Sequence, residues 1–267
     1  MRLDQELVIR GLARSRTQAA RLVAEGRVKV SGVIARKPAM SVDTETDISA
    51  DTEKWVSRAA HKLLGAIEES GTSMEGRVLD AGASTGGFTQ VVLAQGAKLV
   101  YAVDVGHHQL ADPIRSDPRV RVREGLNLRD LSLTDLDDQP VDVVVGDVSF
   151  ISLKLLLPSL LKVLRPCGVA LLLVKPQFEV GRERLGAGGV VRDTRLHAET
   201  VMAVSACARS HGLDVLAAIA SPLPGPAGNV EYFLHMRAGS GQEPDGGLES
   251  AVRSAIATGP AGKEARK

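Results

Sequence analysis

The apolar positions change their period along the chain, and the change divides it. "LDQELVIRGL" sets Leu3, Leu7 and Val8 on one helical face and stops at Gly11. "SRTQAARLVAEG" opens with Ser15 three residues before Gln18, the spacing of a capping box. It carries Ala19, Leu22 and Val23 on one face and ends at Gly26. "RVKVSGVIAR" then alternates polar and apolar around Ser31-Gly32, which predicts a hairpin with a two-residue turn. Pro38 and the acidic "SVDTETDISADTE" read as a linker or edge segment.

From residue 57 helical and strand periods take turns. "SRAAHKLLGAIEES" repeats Ala59, Leu63, Ala66 and Ile67 at helical spacing. Strands follow near 77–80, 99–104, 119–122, 141–146, 169–175, 213–219 and 230–236, with helices near 86–95, 107–115, 151–164 and 194–211. Such alternation predicts a mostly parallel sheet covered on both faces. "SPLPGPAGN" leaves no room for a crossover helix, so the seventh strand is expected to run antiparallel. The expected organisation is a small α+β module over 1–48, a linker over 49–57, an α/β domain over 58–238 and a flexible tail over 239–267. Within that tail "LESAVRSAIA" has the pattern of a short helix.

Charge sharpens the division. The net charge is +1, yet residues 1–37 hold nine Lys or Arg against three acids, which leaves −5 for the rest. A basic head on a mildly acidic body predicts a polyanion-binding module. Arg14, Arg16, Arg21 and Lys29 lie on or beside the second helix and the hairpin and are the candidate RNA contacts. Aromatic residues make up only 3%, which argues against recognition dominated by base-stacking platforms. The two cysteines, Cys167 and Cys207, fit buried, reduced thiols in a cytoplasmic protein. No leader pattern is visible, and runs such as "VALLLV" are too short to span a bilayer, so no membrane role is expected.

"RVLDAGASTGGFTQVVL" has strand–turn–helix grammar at the rim where doubly wound sheets bind ligands. Gly82 and Gly86-Gly87 do not give the dinucleotide fingerprint, and no Lys-Ser or Lys-Thr pair completes a phosphate loop. Asp80 would repel phosphate but suits a ligand with an ammonium and a sulfonium, the two cationic groups of S-adenosylmethionine (SAM). Asp104 ends the next strand, placed to accept hydrogen bonds from ribose hydroxyls, and Glu124 or Asn127 can border the adenine. The combination resembles the class I SAM-dependent methyltransferases. The implied cofactor-binding residues are Asp80, Gly82, Ser84, Thr85, Gly86, Gly87, Phe88, Asp104 and Asn127.

Asp147 and Lys175 end buried strands on the same rim, Lys62 lies in the helix before the first strand, and Glu231 interrupts "NVEYFLHM". This Lys–Asp–Lys–Glu order resembles the catalytic tetrad of the FtsJ-like ribose 2′-O-methyltransferases. His61, His107 and His108 have no cysteine at ligand spacing, so no metal is expected. A ribose hydroxyl is a weak nucleophile and needs a base. A lysine serves as one only when neutral, a form favoured by desolvation or a nearby cation. Lys175, ending a very apolar strand, is the candidate base, with Lys62 the nearby cation and Asp147 and Glu231 orienting it.

The head, through "RLDQEL", "SRTQAARLVAEGRVKVSG" and "VIARKPAM", resembles the S4 RNA-binding domain. The whole of residues 2–238 resembles the TlyA family of S4-plus-FtsJ ribosomal RNA methyltransferases, through "WVSRAAHKL", "DAGASTGGFT", "DVSFISL", "LVKPQFEVGRERLGAGGVVRD" and "SPLPGPAGNVEYF". The resemblance implies 2′-O-methylation of cytidines in 16S and/or 23S rRNA within ribosomal subunits, with no obligate protein partner evident. Some members of that family have been called haemolysins, but the amphipathic "ISLKLLLPSLLKVL" lies between the fourth and fifth strands, where a covering helix is expected.

Overall fold

The structure, a computed structural model, describes residues 1–13, 15–51, 54–242 and 247–260. It divides into two compact units, Met1–Lys54 and Trp55–Lys267.

In the first unit, helices α1 (Leu3–Ile9) and α2 (Arg16–Ala24) precede a small sheet of β1 (Val28–Val30), β2 (Val33–Ile34) and β3 (Ile48–Ala50), in the order β2-β1-β3. Ser15 caps α2 by accepting from the Gln18 amide at 3.2 Å. Ser31 and Gly32 both take positive φ, 49° and 80°, as a turn that follows the strand twist requires. Leu3, Leu7, Leu22, Val23, Val28 and Ile48 are buried together. The expected linker over 49–57 needs correction at its start, since Ser49 and Ala50 belong to β3 and Ser49 pairs with Lys29. A three-residue strand between acidic residues is too short for its alternation to be legible.

The second unit starts with α3 (Ala59–Ser70) and continues as β4 (Gly76–Ala81), α4 (Gly87–Ala94), β5 (Ala97–Asp104), α5 (Asp112–Arg115), β6 (Val120–Glu124) and β7 (Val141–Gly146). Then come α6 (Leu157–Val163), β8 (Leu164–Val174), α7 (Pro176–Glu179), α8 (Thr194–Ser210), β9 (Leu213–Ala220), β10 (Tyr232–Ala238) and α9 (Leu248–Thr258). The seven strands lie in the order β6-β5-β4-β7-β8-β10-β9. Only β10 runs against the others, antiparallel to both β8 and β9. Period-two alternation splits the strand residues between two cores. Leu79, Val144 and Leu172 enter one, and Val78, Val145 and Leu171 the other.

Cys167, expected to be buried, is exposed and Cys207 is half-buried. Three further expectations change. The helix near 107–115 shortens to Asp112–Arg115, because Pro113 is accommodated only in a first turn. The helix near 151–164 splits into a 3₁₀ turn at Leu153–Leu155 and α6, with Pro158 in the first turn of α6. The expected flexible tail is folded over much of its length. Asp214 Oδ1 accepts from the amides of Ser240, Gly241 and Gln242 at 2.8–3.0 Å, and α9 buries Leu248, Val252, Ala255 and Ile256 in the core that holds Val201 and Val204 of α8. Spacings of 4, 7 and 8 residues put those four side chains on one stripe. Residues 243–246 and 261–267 of the expected tail lie outside the described residues.

Candidate active site

Sheet topology gathers the chemistry. Tyr232 pairs with Val174 in the antiparallel β8–β10 register, so the residue before β10 faces the residue after β8. Glu231 therefore stands beside Lys175 although 56 positions separate them in the chain. In the parallel register Ala81 pairs with Gly146, which brings the turn after β4 beside Asp147. Lys62, on α3, completes the group.

Its charges alternate. Lys62 Nζ lies 2.6 Å from Glu231 Oε2 and 4.0 Å from Asp147 Oδ2. Lys175 Nζ lies 2.6 Å from Asp147 Oδ1 and donates to Ser149 Oγ at 2.7 Å. Lys62, Lys175 and Glu231 are all buried, Glu231 at 1% exposure, so each cation is neutralised where desolvation would otherwise be costly. Gln177 Nε2 donates weakly to Glu231 Oε1 at 3.4 Å. Three of the four charged groups border the cleft, whereas Glu231 sits behind Lys62 and does not.

The cleft has two lobes. One, of about 400 Å³, is bordered by Ser57, Arg58, Lys62, Thr85, Gly87, Phe88 and Lys175. The other, of about 550 Å³, is bordered by Asp104, Gln109, Leu126, Asn127, Val148 and Phe150. Gly82, Ser84, Asp147 and Ser149 line both. Gly87 lets Ser57 come close, since a Cβ there would lie 2.2 Å from Ser57 Oγ and the hydroxyl would have to turn away. Gly86, at φ +93°, faces away from the cleft, and a Cβ on it would come within 2.8 Å of Leu110. Phe88 is mostly core, with its ring 6.1 Å from that of Phe233.

Asp104 accepts from the amides of Ser84 at 2.8 Å and Gly106 at 2.7 Å. Two fixed donors hold the carboxylate still, and its remaining lone pairs face the larger lobe. Asn127 also reaches this lobe and caps the following turn by accepting from the Arg129 amide. Glu124, the other candidate beside the adenine, binds Arg115 and the His108 amide and does not border the lobe.

Asp80 needs the largest correction. Its side chain is fully buried below the glycine turn and does not border the cleft, so it offers no direct contact to a cationic ligand. Thr89 Oγ1 donates to Asp80 Oδ2 at 2.6 Å, while Oδ1 has no hydrogen-bond partner. Burial pushes the carboxyl up to about 7, and the negative charges of Asp147 and Asp104 act in the same direction.

Sequence reasoning missed Ser149, Phe150, Arg58 and Gln109. Ser149 and Phe150 lie two and three positions after the tetrad aspartate, and that proximity was the available signal. Phe150 is 90% exposed, holds φ +65°, and packs its ring 5.2 Å from that of Phe178.

In the first unit the predicted RNA contacts differ among themselves. Arg16 pairs with Asp4 at 3.1 Å and Arg21 with Glu25 at 2.7 Å, both remaining largely exposed. Lys29 is exposed and, with Arg36 and Lys37, makes no ion pair among the described residues. Arg14 lies outside the described residues. Residues 1–54 contain ten Lys or Arg and eight acids, so acids after residue 37 reduce the excess of +6 to +2.

Residues 55–238 match the FtsJ-like methyltransferase model and residues 1–48 the S4 domain model. A Mycobacterium tuberculosis relative named 16S/23S rRNA (cytidine-2′-O)-methyltransferase TlyA is 50% identical over 97% of this chain and 98% of its own. Hemolysin A of Brachyspira hyodysenteriae is 38% identical over 88% of this chain and 99% of its own. A solved structure from Streptococcus thermophilus, named as a hemolysin, superposes with a TM-score of 0.77 at 38% identity, covering 100% of this chain and 97% of that one. A tetrad at the rim of a methyltransferase sheet, with an S4 module before it, agrees with these matches across almost the whole chain, and the protein belongs to the TlyA family of S4-plus-FtsJ-like methyltransferases.

Proposed function

We propose that this protein methylates the ribose 2′-oxygen of cytidine in 16S and/or 23S rRNA of ribosomal subunits, with SAM as cofactor and without metal. The observation that carries the reading is the alternating Lys62–Glu231 and Asp147–Lys175 pairs at the junction of the two lobes. The substrate class rests on the name of the relative that matches 97% of the chain.

The larger lobe suits the nucleoside end of SAM. Asp104 faces the ribose hydroxyls, and Asn127, Leu126 and Val148 border the adenine. Backbone at Gly82, Ser84, Thr85 and Gly87 approaches the methionine portion, Asp80 acting only through the turn above it. Bound there, SAM supplies an electrophilic methyl group. Lys175, when neutral, would take the proton of a 2′-hydroxyl held beside it and so free the oxygen to accept that methyl group. The ammonium that forms is stabilised by Asp147 at 2.6 Å. Lys62, held between Glu231 and Asp147, balances the second carboxylate and keeps Asp147 in place.

Lys175→Ala tests the reading. A positioned base contributes about 10²–10⁴-fold, so methyl transfer to ribosomal subunits falls by that much while SAM and subunit binding persist. Near-normal turnover would show that Lys175 is not the base. Absence of SAM binding to the protein together with subunits, measured by calorimetry, would remove the cofactor assignment.

A further inference from the structure

We infer that Ser149 is the positioning residue that aims the Lys175 amine at the substrate hydroxyl, an inference that rests on the function proposed above. Lys175 has two polar neighbours, and they do different things. Asp147 Oδ1 lies 2.6 Å from Nζ as its ion-pair partner, and its negative charge favours the ammonium form. Ser149 Oγ, at 2.7 Å, accepts a hydrogen bond from Nζ and carries no charge. One partner alone leaves the amine free to turn about the contact, and the serine supplies the second point that fixes its direction.

Direction matters because a lysine amine ends a flexible four-carbon stem and rotates freely about its last bond. A base works only when its lone pair points at the proton it removes, and misplacement by about 1 Å can cost about 10²-fold in rate. A hydroxyl is suited to this task, since it accepts an N–H without adding a second negative charge that would favour the ammonium. The position is suited too. Ser149 borders both lobes, between Asp147 and the left-handed turn at Phe150. It is exposed and buries no apolar surface, so alanine there leaves the core intact.

The test uses full-length protein with ribosomal subunits as substrate, comparing Ser149→Ala, Ser149→Thr and Lys175→Ala with the wild type at varied SAM concentration. Ser149→Ala is expected to lower kcat by about 10–100-fold with KM for SAM within about twofold, and Ser149→Thr, which keeps the hydroxyl, to restore most of the rate. An unchanged kcat in Ser149→Ala would overturn the inference. So would a rise in KM alone, which would make Ser149 a cofactor contact, or a threonine variant as slow as the alanine one. Substantial activity in Lys175→Ala would instead remove the proposed base, and the aiming role with it. Lys175→Ala inactive and Ser149→Ala fully active would leave the base standing and reject only the serine.

Discussion

Replacing Asp80 with asparagine should flatten the pH dependence of folding stability. Asp80 is fully buried, with a carboxyl pushed up to about 7 from an ordinary value of 3.8. An acid whose folded value is raised binds its proton more tightly in the native state, so stability falls as pH climbs from the unfolded value through the folded one. At about 1.4 kcal/mol per pH unit, the wild type loses about 2–3 kcal/mol between pH 5 and pH 8 through this one group. Asparagine keeps an acceptor for Thr89 but does not titrate, so that part of the slope disappears. The new amide nitrogen stands where Oδ1 had no partner, at a cost of about 1–3 kcal/mol that does not vary with pH. The informative quantity is therefore the difference between the two proteins as a function of pH. His197, buried and held below its usual range, titrates in both and cancels. Urea unfolding at pH 5, 6, 7 and 8, followed by the fluorescence of Trp55, the single tryptophan, reads the second unit directly. Parallel pH profiles for wild type and Asp80→Asn would refute the linkage.

Glu231→Gln removes the negative charge 2.6 Å from buried Lys62 and leaves Asp147, at 4.0 Å, as its remaining carboxylate. Breaking a buried pair on one side costs about 3–5 kcal/mol, so Tm should drop by several degrees, and an unchanged Tm would show the pair is not integral to folding. A protein starting at Trp55 should fold and bind SAM but lose most affinity for ribosomal subunits. If Lys29, Arg36 and Lys37 meet phosphates, the slope of log affinity against log salt should shrink by about 2–3. Equal affinity and slope for full-length and shortened protein would exclude the S4 unit as the RNA grip.

The sequence was most legible where one period ran long enough to be counted. Strand β4, its glycine turn and α4 followed from "RVLDAGASTGGFTQVVL", and the antiparallel seventh strand from the short connection before it. Three of the tetrad were legible by residue type at strand ends, and Lys62 by its place in the helix before the first strand of the sheet. The tetrad's pairing was not, because the partnership of Lys62 with Glu231 depends on where β10 inserts, a fact of three-dimensional order. Asp80 was misjudged for a related reason. Residues alternate across a strand, but whether the last carboxylate points to the cleft or under the turn depends on the path of the turn itself. The α9 helix was visible as a pattern, yet its docking beside α8 was not, since a short amphipathic stretch after a glycine-rich segment carries no sign of what will cover it.

The place of β10 has a consequence for synthesis. Strand β10 is made after β9 yet is laid between β8 and β9. Until residues 231–238 leave the ribosome, β8 keeps an open edge and Lys62 has no Glu231 to meet. Closing the sheet and completing the charge pattern are thus a single event that waits for β10. A nascent or prematurely ended chain can carry a finished RNA-binding head and a formed glycine turn, yet remain without a complete tetrad beside the very particle that is making it.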